Sequence, residues 1–216
     1  MNQAASSENN NQRKPQTRGV ERRKKILECA KNMLSSTDEI SLSIYEIAKK
    51  SGIPASSIYH FFPKTDDIFR GILDEYLQLF DDCLSEHIAP ERVTHWSDIG
   101  YILECRMVKI YDENLLLRRM ILGQHAFGEL LSADQQHDQK MGEKLKAIYN
   151  HFYQLPTLPT EFNIFAIALQ LSDKIYAMSH QTNGEITETY AAEGWQAGKA
   201  YLSIYLPHYL AKQPQE

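Results

Sequence analysis

The stretch from Ile44 to Phe61 constrains the fold of this chain more than any other. Ala48 is small where two helices must approach closely, and Gly52 follows four residues later, where the backbone must bend sharply. Ile47 supplies the apolar side of a first short helix, and Ile53, Ile58 and Phe61 that of a second. A small residue, a glycine turn and apolar staples at this spacing define a helix-turn-helix. The entry reads as a capping box: the Ser43 hydroxyl accepts from the amide three residues on, and Glu46 reaches back to the amide of Ser43. Leu42 and Ile47 are placed as the hydrophobic staple. Pro54 opens the second helix, where a missing amide proton costs nothing, and Pro63 ends it.

An ordinary αα-hairpin has the same apolar spacing, so the polar face must decide between the two. That face carries Ser56, Ser57, Tyr59 and His60, and no Asp or Glu occurs from Lys49 through Thr65. An acid-free face is unusual for a surface that meets only water and suits one that approaches phosphate. Charge along the chain agrees. The net charge of -5 hides a split: residues 1–70 hold 12 Lys and Arg against 8 Asp and Glu, residues 71–216 hold 11 against 20. Arg13, Lys14, Arg18, Arg22, Arg23, Lys24 and Lys25 cluster with only Glu21 opposing them. A basic head on an acidic body implies that the head alone meets phosphate.

Elsewhere the periodicity is helical. Ile26, Leu27, Ala30, Met33 and Leu34 recur at three- and four-residue steps from Val20 onward, after a polar segment over 1–12 whose composition predicts disorder. Thr65 is placed to cap a further helix, with Asp66 and Asp67 in its first turn and Ile68, Ile72, Tyr76, Leu79, Phe80 and Cys83 on one stripe. Helices are expected over 97–112, 114–127, 133–154, 160–180 and 187–210, with a capping box at Ser132 and Gln135 and a turn at Asn183-Gly184. Alternating strand patterns are scarce, so the class is all-α.

Several kinds of function find no support. No apolar run approaches a membrane span, and the polar first ten residues do not read as a secretory signal, so the expected location is the cytoplasm, without a membrane partner. Cys29, Cys83 and Cys105 form no CxxC and read as thiols on helix faces, with a redox sensor as the alternative. His125, His137 and His151 lack close metal-ligand spacing, and HExxH, P-loop, GxGxxG and GxSxG are absent. The expectation is therefore no metal, no cofactor and no enzyme. A helical ligand carrier or enzyme without a DNA role is the competing reading. An interaction protein that uses the acidic body as its main surface is a third.

At these residues the sequence resembles the TetR family of regulators. The match runs through Arg22-Arg23-Lys24-Lys25-Ile26-Leu27, Ser43-Ile44-Tyr45-Glu46-Ile47-Ala48, Ser51-Gly52-Ile53-Pro54, Ser57-Ile58-Tyr59-His60-Phe61-Phe62 and Asp67-Ile68, roughly the first quarter to third of the chain. The resemblance implies a three-helix DNA-binding head joined through a fourth helix to a larger ligand-binding and dimerisation domain. The expected organisation is a disordered basic arm over 1–19, the helix-turn-helix domain over 20–64 and the body over 65–216. It also implies roles. Ser43 and Tyr45 would touch backbone or base edges of double-stranded operator DNA. Pro54, Ala55, Ser56 and Ser57 would present the reading edge, Tyr59 and His60 would hold phosphates, and Lys64 stands one position before the lysine usual in the family. Arg18 and Arg22 would join them from the basic stretch. Arg13, Lys14 and Arg18 would enter a minor groove, neutralise phosphate or stay in solvent. With no Arg, Asn or Gln from Ala55 to Phe61, specificity would rest on thymine methyls, serine hydroxyls and DNA shape.

For the body, the resemblance implies a homodimer built on the last two helices and a small-molecule effector that releases a repressor from its operator. Gly194 and Gly198 lie four apart on one face, a costly arrangement that signals close packing. With Phe165, Leu169, Leu202 and Tyr205 they form the expected dimer interface, internal packing being the alternative. The candidate lining for an apolar or amphipathic ligand is Tyr76, Phe80, Tyr101, Cys105, Met120, Gln124, His125, Tyr149 and Phe152.

Overall fold

The computed structural model describes residues 13–37, 40–123 and 128–214, with 13–16 and 128–134 described by their backbone alone. Within them the chain is all-helical. Nine α-helices and one 3-10 turn, Pro90–Arg92, are joined by short loops, and a lone antiparallel bridge pairs Tyr153 with Lys212. None of the described helices is long and apolar enough to cross a membrane. The chain divides into two compact units, Met1–Ile72 and Leu73–Glu216.

In the first unit, helix α1 spans Arg13–Ser35, α2 Ile44–Ser51 and α3 Ala55–Phe61, and α4 opens at Thr65 on its way to Ser85. Ile26, Leu27, Ala30 and Leu34 of α1 close over Ile44 and Ile47 of α2, Ile58 of α3 and Ile68 and Ile72 of α4, all buried. Each of these isoleucines and leucines contributes about 1.5–3 kcal/mol on leaving water. Gly52 ends α2 in the left-handed region at φ 69°, a conformation that costs other residues about 1–2 kcal/mol.

Four details of this unit differ from the sequence reading. α1 begins at Arg13, so residues 13–19, expected in the arm, continue the helix; Pro15 falls in the first turn, where its missing N–H breaks no bond. The Ser43 side chain makes no capping bond; its carbonyl accepts from the Ile47 amide at 3.0 Å. Phe62, not Phe61, is the buried aromatic, because the chain leaves helical geometry at Phe62 (φ -137°) and turns that ring inward. At the head of α4, Thr65 is the first helical residue, and the Asp67 carboxylate accepts from the Lys64 amide at 2.8 Å.

The unit boundary falls at Ile72/Leu73 rather than at Lys64/Thr65. The first turns of α4 belong to the head core. A Cβ on Gly71 would stand 3.0 Å from Leu27 Cδ2 and 3.3 Å from Phe62 Cε1, so α1 and the end of α3 approach α4 to glycine distance there.

The second unit holds the rest of α4, then α5 (Trp96–Glu113), α6 (Leu115–Ile121), α7 (Gly128–Phe152), α8 (Ile164–Asn183) and α9 (Glu188–Leu202). α8 packs along both α7 and α9. On α4, Leu77, Phe80, Cys83 and Leu84 are buried, whereas Leu79 is exposed. His95 and Asp98 cap α5 reciprocally. The Asn163 side chain caps α8 by accepting from Phe165 and Ala166, and Gly184 closes it at φ 77°. The Asn183-Gly184 turn is thus where expected. Ser132 lies inside α7, which begins at Gly128 rather than after a cap at Ser132. α9 stops at Leu202, well short of 210, since Pro207 cannot continue a helix. The chain instead folds back as a strap. The Pro207 carbonyl accepts from Trp96 Nε1 at 3.0 Å, that of Ala211 accepts from the Gln154 amide at 2.8 Å, and the Gln213 amide donates to Phe152 O at 2.9 Å.

Candidate nucleic-acid interface and body cavity

The helix-turn-helix turns its apolar residues inward and leaves a polar, aromatic face in water. Tyr45 at the start of α2 is 70% exposed, and Pro54, Ser56, Tyr59 and His60 are exposed along α3. Ala55 and Ser57 are half-buried at the edge of the same helix, and Ser43 is half-buried before α2. Lys49 and Lys50 end α2 in solvent, and Lys64 is exposed beyond α3. Arg22 of α1 reaches α3: its Nη1 donates to Ser57 Oγ at 3.4 Å. This bond ties a cation of the basic stretch to the middle of α3. Arg18, one turn earlier on α1, is exposed.

Arg23 has a different use. Its guanidinium lies over the Phe62 ring, 5.2 Å from the centroid, so this arginine is partly engaged in packing. Neither that role nor the glycine approach at Gly71 is visible in the sequence, where both read as ordinary helix positions. Of the thiols, burial raises Cys29 and pushes Cys83 up to about 12, with Glu86 adding to the shift at Cys83. Neither has the thiolate character of a redox sensor.

A small cavity of about 50 Å³, partly open to solvent, lies between α5, α7, α8 and α9 of the body. Trp96, Tyr149, Phe165 and Trp195 form its aromatic wall, with Ser97, Glu104, Ser172 and Lys199 as the polar groups. A second cavity of about 20 Å³ lies on the other side of Glu104, against Phe80, Tyr111 and Tyr176. Among the residues expected to line a ligand site, Tyr149 borders the first cavity and Phe80 the second. The others go elsewhere. Tyr101 and Cys105 are exposed on α5, where Tyr101 packs edge-on against Trp195 with centroids 5.3 Å apart. Met120 is buried in α6, Tyr76 is half-buried in α4, and Phe152 stacks with His151. Gln124 and His125 lie outside the described residues. Helical spacing alone did not distinguish the inner from the outer side of α5.

Glu104, which the sequence reading passed over, is the buried acid between the two cavities. It accepts a hydrogen bond from the Tyr176 hydroxyl. Burial pushes its carboxyl upward, and the hydroxyls of Tyr176 and Ser172 pull the other way. Tyr149 and Tyr176 are themselves raised by burial, with Glu104 nearby. No group of three or more His, Cys, Asp or Glu among the described residues is placed to hold a metal.

The expected dimer residues are mostly internal. Phe165, Leu169 and Leu202 are buried within the single chain. A Cβ on Gly194 would stand 2.5 Å from Tyr176 Cε1, and one on Gly198 would stand 3.4 Å from Ser172 Oγ. The glycines therefore bring α9 onto α8 of the same chain, which corrects their assignment to a partner interface. Tyr205 is half-buried against Phe162 and Tyr201. α8 still carries exposed apolar groups, Leu171 at 38% and Met178 at 50%, and Ile204, in the turn after α9, is 70% exposed.

No family model matches this chain, and no curated protein matches it. Solved structures do. A TetR-family transcriptional regulator from Streptomyces coelicolor aligns over 86% of this chain and 98% of its own, at 19% identity and a TM-score of 0.58. A TetR transcriptional regulator from a Rhodococcus species aligns over 87% and 97%, at 16% identity and a TM-score of 0.60. One from Haloarcula marismortui aligns over 87% and 99%, at 16% identity and a TM-score of 0.60. At such identities the likeness is one of fold, and it runs through head and body alike.

Proposed function

We propose that this chain is a DNA-binding transcriptional regulator of the TetR type, acting as a homodimer and released from its operator by a small molecule bound in the body. The observation that carries the reading is the exposed face of α2 and α3. Tyr45, Ser56, Tyr59 and His60 stand in solvent without an acidic neighbour on α3, and Arg22 is hydrogen-bonded to Ser57 beside them. Phosphate contacts from the arginines position such a head, and the short side chains of α3 read the groove by shape and methyl contact. The likeness of fold to solved TetR regulators supports the same reading. Two-fold pairing is supported by the exposed Leu171 and Met178 of α8 and Ile204 in the turn after α9. The aromatic cavity supports an effector.

The test is selection of bound DNA from a random pool with the full chain at stated salt. Enrichment of a two-fold symmetric site, with half-sites about one DNA turn apart, is the expected result. On that site, Arg18→Ala and Arg22→Ala each reduce the slope of log K against log salt by about 0.9 if the arginine neutralises one phosphate. A pool that stays random would overturn the reading.

A further inference from the structure

An effector entering the body meets an aromatic wall and one buried acid. The space beside Trp96, Tyr149 and Phe165 is about 50 Å³ and partly open to solvent, on the order of a few water positions, so only a compact group enters it while the rest of a ligand extends outward. Glu104 borders both this cavity and the smaller one behind it.

The surroundings of Glu104 set the charge the ligand must bring. Its carboxyl is buried on α5 and accepts from the Tyr176 hydroxyl. Ser172 lies beside it with its hydroxyl donating to the Gly194 carbonyl at 3.0 Å; like Tyr176 it is a neutral group and brings no countercharge. No Lys, Arg or His among the described residues forms an ion pair with Glu104. Lys199, the other charged group of the wall, is half-exposed and held over the Trp195 ring at 4.8 Å from the centroid. A buried carboxylate without a countercharge is strongly disfavoured. A ligand that carries its own cation removes that penalty.

Resting on the effector reading above, we propose that this cavity takes a small primary amine. Its ammonium sits against the Glu104 carboxylate and its compact aromatic or aliphatic body lies among Trp96, Tyr149 and Phe165. A carboxylate ligand paired with Lys199 is the rival chemistry. It is the weaker one because that lysine is half in solvent, where an ion pair is worth about 0–1 kcal/mol.

Both tryptophans of the chain, Trp96 and Trp195, line the cavity, so intrinsic fluorescence reports its occupancy. The full chain is titrated with phenethylamine, cyclohexylamine and n-hexylamine, each beside its matched alcohol and carboxylate. At least one amine binds about tenfold more tightly than its alcohol, equivalent to about 1.4 kcal/mol. Glu104→Gln abolishes that preference and leaves the affinity for the alcohol within about twofold. If the variant does not fold, the comparison within the native protein still decides. The proposal is overturned if every alcohol or carboxylate binds as tightly as its amine, or if a carboxylate preference appears that Lys199→Met removes. The regulatory reading fails separately. An amine that binds with the stated preference but equally well with and without selected operator leaves the site standing and removes its role as effector, because coupling between two ligands is reciprocal.

Discussion

Gly52 and Glu104 mark the two extremes of what single residues disclosed. Gly52 was legible because its demand is local: a helix ends and must turn, and φ of 69° is a conformation glycine adopts freely. Nothing lies within 4 Å of a Cβ built there, so Gly52→Ala tests backbone strain without a clash. It should cost about 1 kcal/mol in chemical denaturation; no change would mean the turn relaxes around the methyl. Glu104 was illegible because its demand is tertiary. In sequence it is one acid on an amphipathic helix, and only the closure of α8 with Tyr176 and Ser172 buries it. Its carboxyl is raised by burial above the ordinary value of 4.5. The folded state thus holds the proton more tightly than the unfolded chain does. The stabilisation is complete below the unfolded value and is lost as pH rises through the folded one. Glu104→Gln, which cannot ionise, should therefore melt higher than the native protein at pH 7–8, with the gap closing towards pH 4. A gap that does not vary with pH would show that the carboxyl titrates alike in both states.

Among the elements, α2, the turn and α3 were readable to within a residue or so, since their boundaries are set by Gly52, Pro54 and Pro63. The capping chemistry was not. Ser43 makes no side-chain bond, while Asp67 and His95, at the starts of α4 and α5, do. The α8–α9 pair is the instructive failure. Two glycines four apart say that something approaches closely, but not whether it comes from the same chain. The answer here is Tyr176 against Gly194 and Ser172 against Gly198. The two positions should respond with opposite signs. Gly194→Ala drives a methyl to 2.5 Å from a ring that is itself buried and should destabilise by about 1–3 kcal/mol. Gly198→Ala meets ordinary contact at 3.4 Å and should stabilise by up to about 1 kcal/mol through helix propensity. Urea denaturation of the pair checks this, and equal effects would place the closest approach of α9 elsewhere.

For the whole molecule, the division of charge was visible from counting alone, with 12 basic residues against 8 acidic in the first 70 and 11 against 20 in the rest. The unit boundary was not visible. α4 looks like the beginning of the body by composition, yet Ile68 and Ile72 complete the core of the head. The exposed apolar face proposed for pairing was also out of reach, since an exposed and a buried leucine look the same in a helical stripe. Leu171 is exposed and Leu169 two residues earlier is buried. Leu171→Glu should shift the protein from dimer to monomer by light scattering at micromolar concentration and weaken operator binding in parallel. Its melting behaviour as a monomer should change little, because the side chain leaves no core. A dimer unaffected by the change would move the interface off this face.

The strap that follows α9 is held by side chains, with Lys212 Nζ donating to Val93 O at 2.9 Å and Gln213 Nε2 to Asn150 O at 3.0 Å, and by its main chain. The carbonyls of Pro207, His208, Ala211 and Lys212 accept from Trp96, His95, the Gln154 amide and the Gln154 side chain. His208, Tyr209 and Ala211 point their own side chains to solvent. At positions 208 and 211 the accepting atom is a backbone carbonyl that every residue carries, so those two side chains can be exchanged without loss of the bond.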